Sequence, residues 1–187
     1  MARLAACHII NAEAASLEAR ELLQMLRAFL LLYEWLCDAA DVNLSRRIVP
    51  FIDAFPETYV RRVLDPAYDP DVARLIEDYI AHNPTRNRPL DMLSLFACVD
   101  PDRVLARTEP GEHVNARPAF HYRLANCRLD DPGWRIAREW NLWTEVEHLA
   151  ADEERVREMS REWFRRSDDP LGALREKWAA RVSEWLE

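Results

Sequence analysis

The sequence contains very little glycine. Gly111, Gly133 and Gly172 are the three glycines in 187 residues, whereas an average usage of roughly 7% would give about thirteen. No two of them lie close enough for G-x-G-x-x-G or for G-x-x-x-x-G-K-[ST], so the sequence encodes neither the dinucleotide-binding fingerprint nor the Walker phosphate loop. If the protein handles a nucleotide, it must do so with side chains.

Lysine is almost absent, and positive charge as a whole is in deficit. Lys177 is the one lysine among 25 basic residues, which face 33 acidic residues and give a net charge of -8. Sequence-independent binding of nucleic acid needs a dense cationic surface, so we expect no nucleic-acid partner. The fixed fork of arginine does suit the recognition of carboxylate and phosphate groups.

Metal-binding cysteine motifs and long apolar runs are also lacking. The cysteines are Cys7, Cys37, Cys98 and Cys127. They are far apart and form no C-x-x-C, so we expect reduced thiols and no zinc site. The apolar run 28–33 is much shorter than the roughly 18 residues of a membrane span, and residues 1–10 do not resemble a secretory signal. We therefore expect a cytoplasmic protein without a membrane partner.

Hydrophobic periodicity predicts a single domain over 1–187 of the α+β class, predominantly α-helical with a few strands. The content of 49% hydrophobic and 31% charged residues is that of a folded domain. Apolar residues recurring every three or four positions predict most of the helices. These helices cover 17–39 after a Ser16 cap, 56–64, 70–82 after an Asp69 cap, 90–99, a short turn from 101, 132–150, 152–166 and 170–186.

The clearest strand lies within 113–124, where polar and apolar residues alternate with a period of two. Arg117, His121 and Arg123 occupy odd positions and are expected on one face, which must meet solvent, acidic side chains or a bound anion. One interpretation is a site where the two guanidinium groups hold phosphate or carboxylate while the histidine binds a metal or moves a proton. The alternative is a solvated or salt-bridged outer face of an edge strand.

Several segments of the chain have residue patterns that resemble those of a known protein family. They are His82–Asn87, Leu90–Leu93, Asn115–Leu124, Asp130–Trp134 and Glu139–Asn141, together with parts of 46–56. In these segments, and across the chain from about residue 11 to the end, the sequence resembles the amidoligases of the glutamine-synthetase-like superfamily of carboxylate-amine ligases. The resemblance implies an ATP-dependent enzyme that activates a carboxylate as an acyl phosphate, which an amine then displaces.

The resemblance also implies roles for individual residues. Mg2+ would bridge the nucleotide, Arg117 and Arg123 would neutralise phosphate charge, and His121 would stand where many relatives place a metal-binding acid. Arg86 and Asn87, on the connector between two helices, would close over the substrate; taken alone, this connector also reads as a capped loop.

Two further residues complete the implied site. Asn126 would contact the substrate, and His8 would be a second metal ligand. The substrates would be small-molecule or peptide carboxylates and amines.

The start of the chain departs from the family pattern. Family members normally begin with a further region that contains a Glu-x-Glu strand, and His8 stands one residue out of the family's register. A one-residue slip turns a strand side chain to the opposite face. We therefore expect a C-terminal portion of an incomplete glutamine-synthetase-like fold, with residues 1–10 as a substitute start and with weak or no activity alone. The alternative is a noncatalytic interaction module that forms a homo-oligomer or pairs with a complementing chain.

Overall fold

A computed structural model describes residues 9–42, 52–106, 114–126, 128, 131–169 and 177–186. Within these residues the chain is α+β and predominantly helical, which confirms the predicted fold class. The helices described are α1 (Ala19–Ala39), α2 (Glu57–Leu64), α3 (Val72–His82), α4 (Leu93–Val99), α5 (Pro101–Leu105), α6 (Ile136–Ala151), α7 (Glu153–Ser167) and α8 (Trp178–Leu186). The strands described are β1 (Ile10–Glu13), β2 (Leu90–Asp91) and β3 (Ala119–Tyr122).

The three strands form an antiparallel sheet in the order β1-β3-β2. The strand predicted within 113–124 is confirmed, but it is shorter because Pro118 precedes it and has no N–H to donate to a ladder. Residue 113 lies outside the described residues. β3 is the middle strand, so the interpretation that placed it at an edge is wrong on that point.

The sheet has one polar and one apolar face. Asn11 on β1 and Asp91 on β2 both lie directly opposite His121 on β3. Because residues directly opposite each other share a face of an antiparallel sheet, these three polar residues stand on the same side. The other side carries Ile10, Ala12, Leu90, Phe120 and Tyr122, which are all buried.

Aromatic packing fixes the apolar face of the sheet on helices α1 and α6. The ring of Tyr122 meets Phe29 edge-on at 6.2 Å and Trp143 at 5.4 Å between centroids. Trp143 also packs on Phe120 at 5.7 Å. Full burial of each such side chain stabilises the fold by about 1.5–3 kcal/mol. The polar face is thereby held outward.

Helix α1 is the centre of the helical layer and packs against α6, α7 and α8. Its predicted start is slightly wrong: Ser16 does not cap the helix, but its Oγ accepts a hydrogen bond at 3.1 Å from the backbone N–H of Glu18. Far along the chain, the indole of Trp178 on α8 donates to the carbonyl of Leu31 at 2.7 Å. This bond joins the last described helix to the first.

Two other predicted helices also begin later than the sequence indicated. Helix α3 is capped by Asp71, whose side chain accepts from the N–H of Arg74 at 2.7 Å, and not by Asp69. The helix predicted over 90–99 begins at Leu93, because Leu90 and Asp91 pair with β3 as strand β2 and Met92 is the N-cap residue. This correction moves Asp91 from a helix to the polar face of the sheet.

A buried carboxylate joins α2 to α3. Asp78 is 4% exposed and accepts from Arg62 at 2.8 Å, from the hydroxyl of Tyr68 at 3.0 Å and from Arg74 at 2.9 Å. Burial raises the pKa of Asp78, but these hydrogen bonds and the charge of Arg62 outweigh it, so the pKa lies below its ordinary value. The network is a structural tie between α2, α3 and the loop that joins them.

Cys37 is buried and Cys98 is half-buried, and neither is in a disulfide bond. Cys7 and Cys127 lie outside the described residues. None of the helices in the described part of the chain combines the length and the apolar character that crossing a bilayer requires.

Candidate functional site

Asp91 is the centre of the polar face of the sheet. Its side chain is completely buried, although it follows Leu90 in a strand of only two residues. The Oδ1 atom accepts a hydrogen bond at 3.0 Å from the backbone N–H of Leu93, at the start of α4. This bond fixes the carboxylate, and the Oδ2 atom faces the groups that surround it.

Two guanidinium groups converge on Oδ2 of Asp91. Arg86, from the connector after α3, donates through Nη2 at 3.1 Å and through Nε at 3.3 Å. Arg123, directly after β3, donates through Nη2 at 3.1 Å. The side chains of Arg86 and Arg123 remain 26% and 17% exposed. The two guanidinium groups are thus anchored by the buried carboxylate and remain accessible to solvent.

The imidazole of His121 completes this group. Its Nδ1 atom lies 3.8 Å from Oδ2 of Asp91, within the range of an ion pair but too long for a hydrogen bond. Its Nε2 atom is buried, and no described residue forms a hydrogen bond with it. We refer to Arg86, Asp91, His121 and Arg123 together as the Asp91 cluster.

The charges of the cluster keep Asp91 ionised. Burial raises the pKa of its carboxyl group, but His121, the N–H of Leu93 and the charges of Arg86 and Arg123 outweigh that effect and hold the pKa below its ordinary value. Two guanidinium groups then face one carboxylate. Among its four residues the cluster has two guanidinium groups and one carboxylate, a composition that suits a bound anion.

Of the three predicted catalytic residues, two lie together and one lies apart. His121 and Arg123 belong to the Asp91 cluster. Arg117 is exposed, and its backbone N–H donates at 2.9 Å to the carbonyl of Ser94 on α4. Since Oγ of Ser94 lies 3.5 Å from Nη2 of Arg86, Arg117 is tied to the neighbourhood of the cluster.

The connector that carries Arg86 is anchored on its other side. The carbonyl of Asn87 accepts from the N–H of Asp53 at 2.7 Å. Arg88 is 6% exposed and donates to the carbonyls of Asp53 and Ala54. The connector is therefore a braced loop, and of its two arginines Arg86 alone reaches the cluster.

Asn126 is placed away from the cluster, in the interior. It is 7% exposed, its side-chain amide donates to the carbonyl of Ala40, and its backbone N–H donates at 3.0 Å to Glu139. Glu139 is itself 1% exposed and accepts at 3.1 Å from the indole of Trp134. These contacts give Asn126 a structural part, and a substrate contact stays a prediction. His8 lies outside the described residues.

The sequence interpretation missed Asp91 and Ser94. The signal was the isolated acid in Pro89-Leu90-Asp91-Met92-Leu93, where a charged residue stands among apolar ones. The prediction of a helix over 90–99 hid this signal, because it placed the acid in a helix and not in a strand.

Magnesium does not fit the described residues of the cluster. Asp91 is its one carboxylate, and Oδ2 already accepts from two guanidinium groups, which would repel a cation. No group of three or more His, Cys, Asp or Glu side chains that could hold a metal ion occurs in the described part of the chain. The predicted role of His121 as a metal ligand therefore finds no partner ligands there.

Comparison with known families gives one match. A family model described as "Putative amidoligase enzyme" matches residues 2–145, which is more than half of the chain. The matched stretch contains the whole Asp91 cluster and ends within α6. None of the curated proteins and none of the solved structures matches the chain.

Proposed function

The chain belongs to the amidoligase family, and we propose that it takes part in joining a carboxylate to an amine at the expense of ATP, through an acyl phosphate. The acid and the amine belong to small molecules or peptides. The observation that carries this proposal is the Asp91 cluster, in which Arg86 and Arg123 are held by a buried carboxylate and stay accessible on an open face of the sheet.

The proposed reaction has two steps. A carboxylate oxygen of the acid attacks the terminal phosphorus of ATP, and the bond from that phosphorus to ADP breaks. The amine nitrogen then attacks the acyl carbon, the bond from this carbon to the phosphate oxygen breaks, and the amine loses a proton. In the first step negative charge moves from the carboxylate to the oxygens of ADP, and in the second step it moves to the departing phosphate. Fixed cationic donors stabilise such charge.

The residues of the Asp91 cluster have distinct parts in this scheme. Arg86 and Arg123 bind and orient the anionic oxygens of the phosphoryl group or of the acid. Asp91 is a positioning residue, because it fixes both guanidinium groups and does not face the substrate itself. His121 adds an imidazole whose Nδ1 atom lies 3.8 Å from Oδ2 of Asp91, and the exposed Arg117 adds a further positive charge nearby.

We propose that the isolated chain has weak or no activity. In chemistry of this kind a divalent metal neutralises the triphosphate, and the described residues provide no group of ligands for it. A complementing chain or a second copy would then have to contribute those ligands.

Titration calorimetry tests the anion site. We expect the protein to bind ATP and inorganic phosphate weakly, and Arg123→Gln to lower these affinities about tenfold or more, since a lost charge-assisted hydrogen bond costs about 1.5–3 kcal/mol. Arg161→Gln, an exposed arginine of α7, is the matched control and should leave binding unchanged. Equal loss in both variants would overturn the anion site, and micromolar binding of Mg-ATP by the isolated chain would overturn the proposed weak activity.

A noncatalytic interaction module is the second candidate, and the edge of the sheet favours it. Among the described strands β1 pairs with β3 alone, and Ile9, directly before β1, is 41% exposed. An open strand edge with an apolar residue can accept a strand from another chain. Light scattering coupled to size-exclusion chromatography tests this second candidate, because a monomer at all concentrations contradicts it. A dimer that binds neither ATP nor inorganic phosphate supports it over the ligase.

A further inference from the structure

A cavity apart from the Asp91 cluster lies between α1, α7 and the loop that joins α2 to α3. Its volume is about 420 Å³, which falls in the lower range of small-molecule sites. Arg20, Leu23 and Arg27 line it from one face of α1, because residues three and four positions apart are neighbours on a helix surface. The cavity shares no residue with the Asp91 cluster, and its α7 wall lies outside the stretch that the family model matches.

Arg27 is the fixed cation of this cavity. Its Nε atom donates at 2.8 Å to the carbonyl of Val63, and its Nη2 atom donates at 3.0 Å and 2.7 Å to the carbonyls of Asp65 and Tyr68. These bonds hold the guanidinium group at the C-terminal end of α2. They leave the two N–H donors of Nη1, which have no hydrogen-bond acceptor among the described residues.

The charge of Arg27 is not neutralised by an ion pair. The side chain is half-buried, and no carboxylate of the described residues forms an ion pair with it. Burial lowers the pKa of Arg27 below its ordinary value, and the charge of Asp69 opposes this effect only in part. Since Nη1 lacks a partner and is not a buried atom, it faces the cavity that Arg27 lines. Accessible donors on a half-buried cation favour an anionic ligand.

The charged groups of the lining leave a single positive excess. Arg20 donates at 2.6 Å to Glu153, so these two neutralise each other. Arg157 and Asp69 are exposed, and neither forms a hydrogen bond or an ion pair with a described residue. Arg27 and Arg157 therefore face one unpaired carboxylate, that of Asp69. One excess positive charge matches a monoanion better than the dianion of a phosphate monoester.

Apolar side chains form the rest of the wall. Leu23, Leu64 and Val156 line the cavity and are buried, so the lining continues directly into the hydrophobic core. A ligand that fills this part of the cavity must bring hydrocarbon, because a small polar ion would leave the apolar wall in contact with water.

We propose that this cavity binds the carboxylate of an acid with an apolar body, such as an aryl-substituted alkanoate. Nη1 of Arg27 donates to the carboxylate, Arg157 adds a second guanidinium group, and the hydrocarbon packs on Leu23, Leu64 and Val156. The inference does not depend on the proposed ligase function, because it uses none of the residues of the Asp91 cluster.

Titration calorimetry of the full chain with 3-phenylpropionate measures this binding, with 3-phenylpropanol as the uncharged counterpart. We expect the acid to bind and the alcohol to give no heat of binding. Arg157→Gln should weaken the acid about twofold to fivefold, as for a partly exposed ion pair. Asp69→Asn should tighten it about twofold, because the variant lacks a like charge beside the carboxylate. Arg161→Gln, an exposed arginine of α7 outside the cavity, is the matched control and should bind as the wild type does.

The outcomes separate this inference from the ligase proposal. Opposite shifts in Arg157→Gln and Asp69→Asn, with none in Arg161→Gln or Arg123→Gln, support the cavity whether or not the protein binds ATP. The cavity is overturned if 3-phenylpropionate does not bind, if the alcohol binds equally, or if Arg157→Gln binds the acid as the wild type does. Weakening in Arg123→Gln alone would assign the acid to the Asp91 cluster and would overturn the cavity as well. Binding of inorganic phosphate that Arg157→Gln weakens to the same extent would overturn the choice of a carboxylate.

Discussion

Oδ2 of Asp91 lies 3.1 Å from Nη2 of Arg123, and this contact joins the two-residue strand β2 to the residue that follows β3. The same oxygen accepts a hydrogen bond from Nη2 of Arg86, which lies on the connector after α3. One buried carboxylate therefore orients both cations that the proposed function uses. Its removal should affect the fold and the binding of anions together.

Asp91→Asn tests this double role. Replacing the carboxylate leaves two guanidinium groups facing a neutral amide, so we expect the free energy of unfolding to fall by about 2–3 kcal/mol. Affinity for inorganic phosphate should change as well. Urea unfolding and calorimetry measure the two effects, and Asp38→Asn, at an exposed position of α1, is the control. An unchanged unfolding midpoint in Asp91→Asn would contradict the prediction.

The stability of the protein should depend on pH through Asp91. The pKa of this group is lower in the folded protein than in the unfolded chain, where an aspartate has a pKa of about 3.9. The stabilisation is thus complete above that value and is lost as the pH falls through the acid range. The difference in unfolding free energy between wild type and Asp91→Asn should shrink from pH 6 to pH 3. A constant difference would disprove the link.

Asp78 provides a contrast, because its hydrogen bonds stabilise the fold and involve none of the residues of the anion site. Asp78→Asn weakens the bonds from Arg62, Arg74 and Tyr68, and we expect a loss of about 2 kcal/mol of stability. Phosphate affinity measured on the folded variant should equal that of the wild type. A loss of affinity as large as in Asp91→Asn would show that both carboxylates act only through general stability.

Trp143 and Trp140 offer a matched pair on helix α6. Trp143 is fully buried against Phe120 and Tyr122, whereas Trp140 is 46% exposed. Trp143→Ala should lower the free energy of unfolding by about 3–5 kcal/mol, and Trp140→Ala by less than about 0.5 kcal/mol. Thermal unfolding of the two variants checks this. Similar shifts of the unfolding temperature in the two variants would mean that the packing of Trp143 on the sheet does not stabilise the fold.

Glu139 holds the turn that contains Asn126. Because its two carboxylate oxygens accept from the N–H of Asn126 and from the indole of Trp134, Glu139→Ala leaves two donors without an acceptor and should cost about 2–3 kcal/mol. Glu139→Gln keeps one acceptor, so its free energy of unfolding should lie between those of the wild type and of Glu139→Ala. Unfolding in urea distinguishes them, with Glu158→Ala on the surface of α7 as the control. A Gln variant less stable than the Ala variant would refute the assignment.

The sequence predicted the parts of the molecule that follow local periodicity. The helices and the alternation around Phe120 and Tyr122 are such parts, and the expectation that His121 and Arg123 share a face agrees with the cluster. Asp91 was not predicted, because a strand of two residues has no periodicity of its own and forms only by pairing with β3. The interior position of Asn126 depends equally on Glu139, which is 13 residues away.

The bond from Trp178 to Leu31 separates two kinds of boundary. The family model matches the chain as far as residue 145, although we expected the resemblance to reach the end of the chain. Helix α8 lies beyond that match and packs against α1, near the other end of the chain. A protein cut after α6 would keep every residue of the matched stretch and still expose apolar surface of its central helix. The stretch that the family model matches is therefore shorter than the stretch that packs around α1.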